Sequence, residues 1–260
     1  MFYALTVSSK SLRTIKGDNK HLDGWLERNP DSRMARFIRL DRAVSAAWQA
    51  RGTGFANTVT EKGREGFQTN LQKAEEIIDS LAKEPTIPPR AYAAVFDTAK
   101  GLGWEADKIA TYVDRMFKEC PDNFTGHAAY ADSLLPRWGG APDDCKKYAD
   151  RVLKEIPGPT GEAVYTAIVL KLANYHSRGV FDDLGLDKKA TLDGVKHLYK
   201  NQLDTPHYRQ TEMFASVLCS DHERYLVWRK EIMKHHDVWA QGVTTEAYYE
   251  RLMQPIDGDE

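Results

Sequence analysis

Two ten-residue segments of the chain repeat one another 36 residues apart. Residues 112–121 (YVDRMFKECP) and 148–157 (YADRVLKEIP) share six of their ten amino acids, in the pattern Y-x-D-R-x-x-K-E-x-P. A catalytic motif is usually needed once in a chain, whereas a structural unit can recur many times. The repeat therefore constrains the fold more strongly than any other feature of this sequence.

Apolar residues in both segments recur at i, i+3, i+4, i+7, i+8 and i+11, which is typical of one face of an amphipathic helix. These positions hold Ile109, Tyr112, Val113, Met116, Phe117 and Cys120 in the first copy, and Cys145, Tyr148, Ala149, Val152, Leu153 and Ile156 in the second. A third copy upstream holds Ala74, Ile77, Ile78, Leu81 and Ala82. We expect Tyr112 and Tyr148 to be buried at equivalent places in successive outer helices.

The charged residues of the repeat are spaced for ion pairs between residues four positions apart. The predicted pairs are Asp114–Lys118, Arg115–Glu119, Asp150–Lys154 and Arg151–Glu155. Each pair would stabilise its helix by only about 0.2–0.5 kcal/mol. We therefore interpret the shared charges as the solvent-facing side of a repeated helix, and not as a duplicated active site.

A second helix precedes each of these outer helices, beginning near Pro88 in one case and near Gly126 in the other. Two helices every 34 to 36 residues is the period of tetratricopeptide-like hairpins, which stack because no hairpin buries its apolar face alone. The sequence therefore predicts an all-α, tetratricopeptide-like helical-hairpin solenoid. We expect an N-terminal extension over 1–24, one repeat domain over 25–253 and an acidic tail over 254–260.

Less regular helices are predicted on both sides of the repeats. The predicted spans are 30–51, 159–176, 188–203, 208–219 and 225–233, with a loop over 180–185. Ser220 and Glu223 have the spacing of a capping box for the last of these helices. A short strand within residues 2–7 is the one exception to the helical pattern.

Four phrases of the chain carry a family resemblance. They are GWLERNPDS (24–32), AWQARGTGFANTVTEKG (47–63), YADSLLPRWGGAP (130–142) and MFASVLCSDHERY (213–225). Together they resemble a bacterial family known only as a domain of unknown function, built of tetratricopeptide-like helices. The resemblance spans about 22–239, and LPRWGG at 135–140 is its most specific part; Ser220 departs from the small apolar residue that we expect there. The resemblance implies a fold and brings no catalytic residues with it.

Charge and composition narrow the classes of partner. The formal net charge is −2, so no global basic field favours nucleic acid as a partner. No apolar run approaches the roughly 18 residues of a membrane span, and no signal peptide is apparent at the N-terminus. The three cysteines, odd in number and widely spaced, favour a reducing compartment. We therefore expect a cytoplasmic protein without a membrane or nucleic-acid partner.

The LPRWGG phrase has two interpretations. As a helix end, Pro136 would break the helix, Trp138 would plug the hairpin and Gly139 would supply the turn. Replacing such a buried Trp138 by Ala would destabilise the fold by about 3–5 kcal/mol. The alternative is a loop that contacts a ligand. The demands of a tight turn favour the first interpretation.

Metal-ligating residue types cluster only near the C-terminus, at Asp221, His222, Glu223 and the segment 235–237. The pattern HExxY at His222 lacks the second histidine of a zinc-protease motif, and His235 and His236 would point about 100° apart on a helix. Cys120 and Cys145 lie on the apolar stripes, where a free cysteine acts as a small hydrophobe. The sequence contains no Walker A, GxGxxG or GxSxG motif.

We therefore predict a non-enzymatic module that binds another protein, without a cofactor or metal. In a bacterial cytosol this could be an inhibitor (immunity protein) of a cognate toxin or effector, or an adaptor. The partner is expected on the inner helices, at residues left off the core stripes: Arg90, Asp97, His127 and Asp132. The alternative is a metal-dependent enzyme or regulator that uses the region of Asp221, His222 and His235.

Overall fold

The computed structural model describes residues 20–52, 54, 56–198 and 206–233. Every regular element in these residues is helical, so the all-α prediction is confirmed for them. The helices are α1 (Lys20–Arg28), α2 (Arg33–Arg51), α3 (Glu61–Ala82), α4 (Ala91–Leu102), α5 (Ala106–Glu119), α6 (Phe124–Ser133), α7 (Asp144–Glu155), α8 (Pro159–His176), α9 (Gly179–Asp182), α10 (Lys188–Leu198), α11 (Pro206–Leu218) and α12 (His222–Met233). The strand expected within 2–7 lies outside the described residues.

Several helix ends differ from the predicted ones. The helix α1 was not anticipated, and the segment 180–185, predicted as a loop, overlaps the short helix α9. The cap of α12 is Asp221 and not Ser220, because the Asp221 carboxylate accepts a hydrogen bond of 3.0 Å from the Arg224 amide. Ser220 instead has a φ of 61°, the left-handed conformation that commonly ends a preceding helix.

The chain contacts divide into two compact units, which among the described residues cover 20–133 and 134–233. We call them the N-terminal and C-terminal units. In the N-terminal unit α2 packs along α3, and α4 contacts α2, α3, α5 and α6. The central place of α4 agrees with its sequence, because seven of its twelve residues are buried, among them Tyr92, Val95 and Phe96.

The repeated apolar stripes form core in both units. Tyr112, Val113 and Met116 are buried on α5, and Tyr148, Ala149 and Val152 are buried on α7. Tyr112 and Tyr148 are 6% and 4% exposed, which confirms their predicted burial. Periodicity of apolar residues therefore predicted the buried faces of α5 and α7.

In the C-terminal unit, α8 contacts α7, α9 and α10, and it is buried over most of its circumference from Gly161 to Ala173. Its contact with α10 is unusually close at Gly194. A Cβ atom added there would lie 2.1 Å from the Glu162 carbonyl oxygen. Only glycine allows this approach of the two helices. Beyond α10, α11 packs between α10 and α12.

Among the described helices, none combines the length and the apolar character that crossing a membrane requires.

Candidate functional site

The four residues predicted to face a partner do not share one exposed surface. Arg90 is exposed immediately before α4, and Asp97 is partly exposed on α4. His127 and Asp132, on α6, are 0% and 1% exposed. The expectation that all four lie off the core is therefore wrong for His127 and Asp132.

Asp97 and Asp132 both form ion pairs with Lys100. The Lys100 Nζ lies 2.7 Å from Asp132 Oδ2 and 3.0 Å from Asp97 Oδ1. The side chains of Lys100 and Asp132 are only 6% and 2% exposed. Burial alone would lower the pKa of Lys100, but the two carboxylates outweigh burial and raise it. The amine stays protonated, so this cluster joins α4 to α6 and offers no nucleophile.

His127 is packed in the core between α5 and α6. Its imidazole packs edge-on against the Phe117 ring, with 5.0 Å between ring centroids and 86° between planes. Because the side chain is fully buried, a partner could reach His127 only after the packing of α5 against α6 had opened.

The alternative metal site is not assembled by the described residues. Asp221 caps α12 through the Arg224 amide, and His222 is exposed at the first position of that helix. Residues 235–237 lie outside the described part of the chain. Within the described ranges, no group of three or more His, Cys, Asp or Glu side chains could hold a metal ion.

Two of the three cysteines are in environments that disfavour the thiolate. All three are free and buried. Burial raises the pKa of Cys120 to about 11 and the pKa of Cys219 to about 12. A cysteine nucleophile requires a lowered pKa, so these two thiols are packing groups at neutral pH.

The Arg115–Glu119 pair has a larger role than its sequence suggested. Glu119 accepts hydrogen bonds from Arg115 Nε (2.6 Å), the Ile87 amide (2.9 Å) and the Tyr92 hydroxyl (3.0 Å). Arg115 also donates to the Ala82 carbonyl oxygen at 2.9 Å, at the end of α3. The predicted solvent-facing pair is therefore a network that links α3, α4 and α5.

A row of arginines on α2 was not singled out from the sequence, although its three-residue spacing was visible. The structure uses this row inside the N-terminal unit. Arg36 donates to Ser80 Oγ at 3.0 Å and to Glu84 Oε1 at 2.6 Å. The other members donate to the Thr86 carbonyl (Arg33), the Leu26 carbonyl (Arg39) and the Asp23 carboxylate (Arg42). These arginines bind neighbouring elements of the chain, which explains a basic stripe without invoking a nucleic acid.

The LPRWGG segment forms a tight turn in the C-terminal unit. Residues Pro136–Trp138 make a single 3-10 turn, and the Gly139 amide donates to the Pro136 carbonyl at 3.0 Å. Gly139 has a φ of 96°, which favours glycine. Leu135 is fully buried, whereas Trp138 is only partly buried and Arg137 is exposed. The residue of this segment that packs in the core is therefore Leu135 and not Trp138. The loss of about 3–5 kcal/mol expected for Trp138→Ala assumed a fully buried tryptophan and does not apply.

Arg137 lies over the ring of an aromatic residue from α8. Its Cζ is 3.6 Å from the centroid of the Tyr175 ring and 5.4 Å from that of Trp138. Both distances are within the range of cation–π attraction. Tyr175 is 53% exposed, so the stack is accessible at the surface. We call Arg137, Trp138 and Tyr175 the Arg137–Tyr175 surface.

Tyr175 was missed in the sequence because α8 carries apolar residues on nearly every side, which conceals an exposed ring at its end. The signal that could have suggested it is positional. The buried run of α8 stops at Ala173, and Asn174 begins its polar end.

No protein-family model, curated protein or solved structure matches the chain. The family resemblance based on LPRWGG therefore stays a prediction.

Proposed function

We propose that this chain is a non-enzymatic helical-repeat protein that binds another protein through the Arg137–Tyr175 surface. The observation that carries the proposal is the stack of Arg137 on the half-exposed Tyr175 ring, beside Trp138. Arginine, tyrosine and tryptophan are the residues most enriched among those that dominate the energetics of protein interfaces. A stacked arginine and an aromatic ring also lose little conformational freedom on binding.

The hairpin arrangement supports the repeat part of the proposal. In the N-terminal unit, α4 contacts both α5, its partner in sequence, and α6, which begins the next pair. That is the neighbour pattern of stacked helical hairpins, in which first helices contact first helices. Tyr112 and Tyr148, which occupy matching positions of the repeated sequence, are both buried.

The described titratable groups favour binding over catalysis. Lys100 is protonated between two carboxylates, and Glu119 accepts three hydrogen bonds that join helices. Glu212, which is 1% exposed, is likewise held by Arg224 at 2.6 Å and by the Tyr208 hydroxyl at 2.7 Å. Each of these groups has a structural role. The metal-dependent alternative depends on His235, outside the described residues.

Two biological roles are consistent with a protein-binding module: an inhibitor of a cognate toxin, and an adaptor. Arg90 and Asp97, which are exposed and partly exposed, remain a second predicted contact region in the N-terminal unit. A growth assay distinguishes the roles. Co-expression with a toxic neighbouring gene product should restore growth if the chain is an inhibitor, and should leave toxicity unchanged if it is an adaptor.

The binding proposal is tested by co-expressing the tagged chain with each protein encoded beside its gene and measuring co-purification and Kd. The variant Tyr175→Ala should weaken the resulting complex by about 30-fold, the effect of losing a residue worth about 2 kcal/mol. Val227→Ala is the matched control, because Val227 is 59% exposed on α12 of the same unit. A complex equally tight for wild type and Tyr175→Ala would refute this surface.

A further inference from the structure

The segments that form the Arg137–Tyr175 surface contain basic residues and no acidic residues. The turn 134–142 and the stretch 163–176 of α8 contain Arg137 and Lys171 but neither Asp nor Glu. Asp143 and Asp144, which follow the turn, are bound to the Lys147 ammonium (2.8 Å) and to the Ala141 amide (2.7 Å). The nearest acidic residues on either side of Tyr175 are Glu162 and Asp182, which lie 13 and 7 residues away in sequence. These two segments therefore carry a net positive charge in a chain whose net charge is −2.

Lys171 extends the surface along α8. It precedes Tyr175 by four residues, so both side chains lie on the same face of the helix. Lys171 is partly exposed. A ligand seated on the Tyr175 ring therefore has an ammonium group one helical turn away and a guanidinium group against the ring itself.

The geometry of Arg137 suits a carboxylate. A guanidinium that stacks on a ring through its face keeps its N–H groups in its own plane, where they match the two oxygens of a carboxylate. With five N–H donors, Arg137 can bind such a group in addition to its contacts within the chain. The exposed part of the Tyr175 ring can then pack against the apolar stem of the residue that carries the carboxylate.

We propose that the partner presents an acidic segment, with carboxylates that bind Arg137 and Lys171 beside the Tyr175 ring. This inference rests on the proposed function and specifies the chemistry of the partner. A peptide fits the surface better than a nucleic acid does. Nucleic-acid binding draws its affinity from a long track of phosphate contacts, and this surface offers two cations, Arg137 and Lys171.

The test uses the full chain and three fluorescein-labelled probes in an anisotropy titration. The probes are a peptide of repeated Glu-Gly-Ser units, its Gln counterpart and a single-stranded RNA of equal length. We expect the Glu peptide to bind, the Gln peptide and the RNA to bind at least about tenfold more weakly, and the affinity for the Glu peptide to fall as salt is raised. Equal binding of the Glu and Gln peptides, or stronger binding of the RNA, would overturn the proposal.

Variants then locate the site. Arg137→Gln should weaken the Glu peptide about tenfold, and Arg137→Lys should fall between, because lysine keeps the charge but lacks the planar fork. Arg151→Gln is the control, since it removes the same charge from a residue paired with Glu155 at 2.9 Å on α7. If Tyr175→Ala weakens the affinity for a protein partner but salt and Arg137→Gln leave that affinity unchanged, the acidic-segment proposal fails and the proposed function stands. If Tyr175→Ala also leaves the affinity unchanged, both proposals fail.

Discussion

Replacing Asp132 by Asn removes one charge from an ion pair that is almost completely excluded from water. The Lys100 and Asp132 side chains are 6% and 2% exposed and lie 2.7 Å apart. Breaking a buried pair by removing one partner typically destabilises a protein by about 3–5 kcal/mol, because it leaves the other charge buried. Asp97 stays 3.0 Å from Lys100 but is 35% exposed, so its attraction is partly screened. We therefore expect a loss near the lower end, about 3 kcal/mol.

This expectation replaces the sequence-based one. If Asp97 and Asp132 faced a partner, as the sequence indicates, reversing both charges would weaken partner binding and leave the fold intact. The two carboxylates hold Lys100, so the double reversal would surround a buried cation with cations and should unfold the N-terminal unit.

Hydrogen exchange detected by mass spectrometry is a suitable assay because it measures the protection of each helix separately, and so reports on the two compact units individually. In Asp132→Asn, the free energy of opening measured for peptides from α4 and α6 should fall by about 3 kcal/mol. The value for peptides from α8 should stay unchanged. Glu155→Gln is the control: its pair with Arg151 is exposed and contributes about 0.5 kcal/mol or less.

A second variant separates the loss of the pair from general damage to the helix. Adding Lys100→Met to Asp132→Asn removes the buried cation as well, and should restore part of the lost protection. A loss below about 1 kcal/mol for Asp132→Asn, or a double variant less stable than the single one, would refute the reasoning.

Two further perturbations test the packing. Burial acts to raise the pKa of Glu119, but hydrogen bonds from the Ile87 amide, Arg115 and Tyr92 outweigh it and hold the pKa below its ordinary value of 4.5. The network thus contributes stability that is present above about pH 4.5 and is lost as the pH falls through the lowered folded-state pKa. Glu119→Gln should flatten the acid side of the stability–pH profile in urea denaturation, and an unchanged profile would contradict the network. Gly194→Ala places a Cβ 2.1 Å from a backbone oxygen of α8, so α10 must shift. We expect a loss of about 1–3 kcal/mol and a lower Tm; an unaltered Tm would mean that the helices tolerate the extra methyl group.

The sequence predicted local features well. The stripes of α5 and α7 depend only on the 3.6-residue period of a helix, which one segment contains by itself. The cap at Asp221, one residue from the predicted Ser220, shows the usual error in helix ends.

Features that depend on neighbouring elements were not predictable in this way. Arg115–Glu119 and Arg151–Glu155 have the same sequence spacing, yet Glu119 is 13% exposed and Glu155 is 43% exposed. Their difference comes from the ends of α3 and α4, which approach α5. A single repeat carries no information on which copy receives such neighbours.

The sequence also did not determine which face of α6 points to the core. Six of its ten residues are buried, among them Gly126, Ala128, Ala129 and Ala131, so no wide apolar stripe marks one face. His127 and Asp132 therefore looked like surface residues, although Phe117 and Lys100 bury them. For the Arg137–Tyr175 surface, the phrase LPRWGG drew attention to one half, and only the fold supplied Tyr175.

The connection between α3 and α4 bears on proteolysis. Lys83 is exposed and lies in the proline-containing segment 83–89, a surface linker of the kind that proteases commonly cut. Cleavage requires several residues to enter the protease in an extended form. Here the Glu84 and Thr86 carbonyls accept hydrogen bonds from Arg115 and Arg33, and the Ile87 amide donates to Glu119. Trypsin could use Lys83 only after arginines from two helices had released the backbone, so this linker is protected for as long as the N-terminal unit stays folded.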